Sequence, residues 1–220
     1  MSSGHGNIEW RHSATPTGYP EAVEWMEARA AAIREGTARE AVWFLEHPAL
    51  YTAGTSADPA ELINPRFPVF QTGRGGRYTY HGPGQRIVYV LADLSRRNRD
   101  VRCYVHALEG WAIDALARLH IDAFRAPGRV GIWTLDQGRE AKIGAIGVRV
   151  RRWVTLHGMA INRVPALDHF DGIVPCGLPD YPVTSIAALG RDTGAGALDD
   201  ALIASFPAFL ERVGGHCEAA

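Results

Sequence analysis

Lys142-Ile143-Gly144-Ala145-Ile146-Gly147-Val148-Arg149-Val150-Arg151-Arg152, followed at once by Trp153-Val154-Thr155-Leu156-His157-Gly158-Met159-Ala160-Ile161-Asn162, is the stretch on which the fold class turns. Both runs are rich in β-branched and other apolar residues, and they read as two long neighbouring strands. Upstream, Ala123 to Arg125 and Val130 to Leu135 read as short strands around a Pro127-Gly128 turn, and Asp136-Gln137-Gly138-Arg139 as a hairpin-like turn. Farther out, Ala41 to Leu45 reads as a buried strand stopped by His47-Pro48, Val69 to Gln71 as a short strand, and Ile87 to Leu91 as another.

Helices interleave with these strands irregularly. Pro20 opens the first, with Ala22, Val23, Met26, Ala30 and Ile33 at helical spacing and Gly36 as its stop. Val101 to His120 carries Val105, Leu108, Ala112, Leu116 and Leu119 on one face, and Leu198 to Val213 carries Leu202, Phe206, Phe209 and Leu210. Thr184 to Leu189 reads as a short helix, residues 54–68 as loop, and 168–178 as irregular. Without a regular strand–helix alternation the expectation is an α+β domain, a mixed or mostly antiparallel sheet with packed helices. No linker, repeat or low-complexity segment divides residues 1–220, so one domain is expected, its core about 20–213 and its ends, 1–7 and 214–220, loose.

Composition narrows the function classes. The chain has 220 residues, 46% hydrophobic and 21% charged, with a net charge of −1, which argues against wholesale disorder and a globally basic nucleic-acid binder. No apolar run approaches the ~18–20 residues of a membrane span, and the first residues lack a secretory core. Cys103, Cys176 and Cys217 are too scattered for a disulfide framework or a zinc knuckle, so a reducing cytoplasm is expected. No histidine pair has metal-ligand spacing, and no metal or cofactor is expected. Among 23 Lys plus Arg residues, 22 are Arg, and Lys142 is the single lysine.

Three features carry chemistry. Cys176 stands between Pro175 and Gly177, which can present a sulfur on a tight, open turn. A small buried thiol would look the same, and the tripeptide leaves both readings open. Strand parity puts Lys142 on the side of Gly144, Ile146, Val148 and Val150, opposite Arg149 and Arg151, unless a bulge at Gly144 shifts it. There, desolvation favours the neutral amine and so a base. A thiol needs such a neighbour to become a nucleophile, but the two residues lie 34 positions apart, and the sequence alone does not join them. The glycine-rich segment Gly73 to Gln85 lacks both a phosphate-loop ending and a following helix, and reads as a wall approached closely by a ligand. His81 and His157 are separate polar points. Arginines at 96, 97, 99 and 102 and at 149, 151 and 152 form patches that solvate the surface or dock an acidic protein.

Taken together, three blocks resemble the octanoyltransferases of lipoate synthesis. They are Arg74-Gly75-Gly76-x-x-Thr79-x-His81-Gly82-Pro83-Gly84-Gln85; Lys142 to Arg149 running into His157-Gly158-Met159-Ala160-Ile161-Asn162; and Pro175-Cys176-Gly177 followed by Val183-Thr184-Ser185. His47-Pro48-Ala49-Leu50-Tyr51-Thr52 fits upstream, and Met159 replaces a commoner apolar residue. The resemblance implies the catalytic fold of biotin and lipoate–protein ligases, an α/β sandwich on mixed sheet. It implies transfer of octanoyl from octanoyl-acyl carrier protein to a lysine of lipoyl domains of 2-oxoacid dehydrogenases or of the glycine-cleavage H protein. By the same resemblance Cys176 becomes the acyl-thioester and Lys142 shuttles its proton. Arg74, Gly75, Gly76, Arg77, Tyr78, Thr79, Tyr80 and His81, with Ala145, Ile146, Gly147, Gly158, Met159 and Ala160, line the acyl pocket. Rival expectations on the same residues are an ATP-dependent lipoate ligase, which leaves Cys176 without work, a non-reacting carrier-binding module and, more weakly, a cysteine hydrolase. Backbone at Gly144, Gly147 and Gly158 is expected to leave the slot open. At about 0.8 kcal/mol per CH₂ the chain contributes on the order of 5 kcal/mol, which selects length only if the slot has a floor.

Overall fold

The computed structural model describes residues 8–178, 180–192 and 194–215, with the side chain of Cys176 also outside the described set. The expected loose ends therefore fall mostly outside it, as does Cys217.

Among the described residues ten strands form two sheets: β1 (Ile8–His12), β2 (Glu40–Leu45), β3 (Leu50–Ala53), β4 (Val69–Gln71), β5 (Tyr78–His81), β6 (Gln85–Leu91), β7 (Ala123–Ala126), β8 (Arg129–Asp136), β9 (Arg139–Arg151) and β10 (Val154–Asn162). Seven make the main sheet in the order β1-β2-β6-β10-β9-β8-β7, and β4-β3-β5 make a small one. Among the described residues β1–β2 and β3–β4 run parallel and every other pair of neighbouring strands is antiparallel. Helices α1 (Tyr19–Glu35), α2 (Val101–Arg118) and α3 (Ala195–Gly214) cover the main sheet. Periodicity explains the sides they take. Ala22, Met26, Ala30 and Ile33 of α1 meet Trp43, Tyr89, Leu156 and Ala160 on one face. Leu108, Trp111, Ala112 and Leu116 of α2 join Leu202, Phe206 and Phe209 of α3 over Val88, Ile143, Met159 and Ile161 on the other. The mixed sheet with packed helices is the expected α+β class.

Turn chemistry pins the long strands. Gln137 and Gly138 have φ of 49° and 79°, and Arg152 and Trp153 have 51° and 69°, the two positive values that a two-residue hairpin turn of right-handed twist requires. Trp153 thus belongs to the turn, not to the second strand.

Three expectations change. Leu50–Ala53, Tyr78–His81 and Ile8–His12 are strands that the pattern did not single out. Thr184 to Leu189 is a turn rather than a helix. Its backbone donors are committed elsewhere: Thr184 N–H to Lys142, Ile186 N–H to Asn162 and Ala187 N–H to Arg163 carbonyls, at 2.9 Å each. The third helix continues through Gly214 instead of fraying before it. Among the described residues no helix is long and apolar enough to cross a membrane.

Candidate active site

A β-bulge sets the site. Ile132 faces Gly144 while Trp133 faces Lys142, so Ile143 is an extra residue. Ile143 is fully buried with Ile132 under α2 and α3. The parity expectation for Lys142 therefore fails. The bulge turns Lys142 away from the Ile146 side and onto the side of Trp133, with its ammonium 5.5 Å from that ring centroid. The residue remains buried at 6% exposure, and Nζ donates to the Val130 carbonyl at 3.1 Å. Its backbone is clamped on the other edge: Lys142 N–H donates to Pro182 and its carbonyl accepts from Thr184, both at 2.9 Å. Thr184 is tied in turn to β10 and β6. Asn162 Nδ2 donates to the Thr184 carbonyl at 3.0 Å, and Gln85 Nε2 donates to Asn162 Oδ1 at 2.9 Å.

Past Gly144, β8 no longer pairs with β9. A cavity of about 490 Å³ opens beside this stretch, within the ~300–1,000 Å³ usual for small-ligand sites. Ala145 to Val148 and His157 to Ala160 line one side, Arg74 to Arg77, Thr79 and His81 another, with Lys142 and Leu178 also at its wall. Strand alternation divides the glycine-rich segment. Thr79 and His81 of β5 face the cavity, whereas Tyr78 and Tyr80 pack into an aromatic cluster with Tyr51 and Phe170, and Tyr80 Oη bonds His169 Nδ1 at 2.8 Å.

Cys176 lies in a single helical turn, Pro175–Gly177. Its side chain is outside the described residues. Its neighbours locate the turn. Pro175 borders a small void shared with Lys142, Thr79 and Ala145. Gly177, at φ 68°, is packed so closely by Arg77 that a Cβ would come within 2.4 Å of Arg77 Cδ. Cys103 is buried near the start of α2, where its N–H donates to the Asp100 cap.

The glycines serve a different end from the expected one. A Cβ at Gly147 would come 2.8 Å from Arg74 Cδ, and one at Gly158 would come 2.2 Å from the Val88 carbonyl oxygen. A Cβ at Gly144 would come 2.9 Å from the Ala160 carbonyl oxygen. These positions are glycine so that neighbours can close in, not to leave space empty. Arg74 is buried, and its guanidinium donates to the carbonyls of Thr52, Gly75 and Arg77 at 2.9–3.0 Å. It fixes the loop as well as lining the cavity.

Sequence reasoning missed a polar cluster around this cavity. His47 Nδ1 donates to the Thr17 carbonyl at 2.7 Å, which leaves Nε2 to accept from Tyr89 Oη at 2.7 Å. His81 Nδ1 donates to Gln85 Oε1 at 2.7 Å, and His157 Nε2 meets Tyr19 Oη at 3.1 Å. Burial is the main cause that pushes His47 down to about 4, and His81 and His157 down to about 3. The neighbouring histidines and Arg74 add to the shift at His81 and His157. All three imidazoles are neutral at pH 7. An unfolded histidine takes up its proton near pH 6.5, before the folded ones do. The expected result is a stability that is level above about pH 6.5 and falls as pH drops toward 4 and then 3, because the unfolded chain binds more protons there. Urea midpoints at pH 7.5 and pH 5 check this; equal midpoints would contradict it. The sequence marked His81 and His157 as separate polar points and His47-Pro48 as a strand stop, with nothing in it to join the three.

The model of the lipoyl protein ligase A/B catalytic domain matches residues 18–207. The chain belongs to that family. It is 65% identical over 206 residues to a protein of Sphingopyxis alaskensis named Octanoyltransferase, covering 93% of this chain and 95% of that one. An Octanoyltransferase of Novosphingobium aromaticivorans is 58% identical over 211 residues, covering 96% and 95%. Among solved structures, an archaeal bi-partite lipoate protein ligase from Thermoplasma acidophilum superposes with a TM-score of 0.69 at 18% identity, covering 93% of this chain and 84% of that one. That last likeness is one of fold, and it agrees with the ligase-like architecture expected from the blocks.

Proposed function

We propose that this chain is an octanoyltransferase of protein lipoylation. It moves octanoyl from octanoyl-acyl carrier protein to a lysine of lipoyl domains, including the glycine-cleavage H protein, in the cytoplasm, without a metal or cofactor. The observation that carries this reading is the identity of 55–65% to eight relatives of that name over nearly the whole chain. The site is consistent with it: the chain's single lysine, Lys142, lines the cavity and also borders the small void that meets Pro175, in the turn that carries Cys176.

The chemistry follows from these groups. Lys142 accepts the Cys176 proton, and the thiolate attacks the thioester carbonyl of the donor. The carrier sulfur leaves and takes the proton back, which leaves octanoyl on Cys176. The acceptor lysine amine then attacks this second thioester. Its C–N bond forms, the C–S bond breaks, and the Cys176 sulfur is reprotonated through Lys142. Thioester exchange is nearly isoenergetic, so the donor bond itself drives amide formation and ATP has no part. Backbone N–H groups near the Cys176 turn or the glycine-rich wall hold the developing oxyanion.

Purified chain mixed with octanoyl-acyl carrier protein and a lipoyl domain is expected to add one octanoyl group to the domain at the same rate with and without ATP. A transfer that requires ATP and free octanoate would establish the ligase reading instead.

A further inference from the structure

We propose that His157 is the gauge of the acyl slot, the residue that stops an eight-carbon chain and turns away longer ones; this rests on the acyl-transfer reading above. Along β10, Leu156 and Ala160 pack toward α1, while Met159 and Ile161 pack toward α2 and α3. Alternation would send His157 toward α2 and α3. It goes the other way. Its φ is 64°, a left-handed conformation that a non-glycine residue rarely holds inside a strand. Its ring lies beside Tyr19 and Tyr89 at the cavity wall, and its N–H reaches the Met26 sulfur at 3.3 Å.

Residues held in such conformations are kept by their surroundings, and they concentrate at functional sites. His157 Nδ1 is buried and has no hydrogen-bond partner among the described residues. A strand residue that keeps its place opposite Val148 yet holds a left-handed backbone and an orphaned nitrogen serves the cavity it faces.

The spacing fits a chain stop. Ala145 borders the void shared with Lys142 and Pro175, where the reacting carbonyl belongs. His157 stands opposite Val148, three ladder steps beyond the Ala160–Ala145 pair. At about 3.3 Å per step the distance is roughly 10 Å. An extended acyl chain advances about 1.25 Å per carbon–carbon bond, so the seven of octanoyl cover about 9 Å and bring its methyl against the ring. The eleven of dodecanoyl cover about 14 Å and overrun it. The ring is held from both sides, by the Tyr19 hydroxyl at 3.1 Å and edge-on by Tyr89 at 5.7 Å between centroids, so it does not swing aside.

The test titrates free hexanoate, octanoate, decanoate and dodecanoate into the full chain by calorimetry, and runs the same four acyl lengths as carrier thioesters in the transfer assay. Wild type, His157→Gly and His157→Asn are compared. Asparagine tolerates the same backbone conformation and has a shorter side chain, so it serves if the glycine variant does not fold. The expected wild-type affinity rises to eight carbons and falls beyond. In either variant the dodecanoyl-to-octanoyl ratio is expected to rise at least about tenfold, the scale of one or two methylenes in a fitted pocket. A length profile identical in wild type and variants, or wild-type affinity that keeps rising past eight carbons, would overturn the gauge. If fatty acids show the break but no carrier thioester is turned over, the gauge stands and the transfer reading fails. If transfer runs with an unmoved profile, the gauge alone fails.

Discussion

Cys176→Ala protein is expected to lose transfer by at least about 10³-fold, because a covalent route has no substitute once its nucleophile is gone. Cys176→Ser is expected to be nearly as poor. A hydroxyl is far less acidic than a thiol, so a neighbouring base that suffices to make thiolate makes almost no alkoxide. The loss should appear in kcat with little change in carrier affinity, since the carrier arm and the acyl slot remain. Folding is expected to be unaffected, because the change removes a single sulfur atom from a one-turn segment and keeps the Cβ. Steady-state transfer to a lipoyl domain, with circular dichroism and urea midpoints as the folding check, measures this. A Cys176→Ser protein with wild-type turnover would remove the covalent route.

Replacing Lys142 by methionine is expected to cost about 10²–10⁴-fold in kcat, the usual worth of a positioned general acid–base. The informative companion is Lys142→Arg. Arginine keeps the positive charge beside Trp133 and the Val130 carbonyl but does not release its proton in a protein. If Lys142 carries a proton in each half-reaction, arginine is as poor as methionine. If arginine restores the rate, the charge alone is at work and the proton must travel by another route. The single-turnover rate of Cys176 acylation, measured for both variants, separates the first half-reaction from the second.

Much of this was legible in the sequence because its signals were local. The helix stripes of α1, α2 and α3, the long pair β9 and β10 and the turn at Gln137-Gly138 follow from periodicity and turn chemistry. The failures were of another kind. Whether Lys142 shares a face with Ile146 or with Trp133 depends on one extra residue at Ile143, and a bulge is set by how β8 packs, not by the strand's own letters. The strand β5 hides in a segment whose glycines suggest loop; its tyrosines bury against Tyr51 and Phe170, residues far off in sequence. The turn at Thr184 to Leu189 has helical composition, but its N–H groups are claimed by β9 and β10. The polar part of the cavity wall is assembled from Tyr19, His81, Tyr89 and His157, with His47 behind it on Tyr89, one residue from each of five elements or loops, and single histidines give no warning of such a gathering.

The most direct measurement of the account is intact-protein mass spectrometry after mixing the chain with octanoyl-acyl carrier protein, with ATP and acceptor left out. The predicted result is a mass gain of one octanoyl group, mapped by peptide analysis to Cys176, removed by hydroxylamine, absent in Cys176→Ala and discharged on adding a lipoyl domain. A chain that stays unmodified while the same mixture, given acceptor, still produces octanoylated lipoyl domain would contradict it.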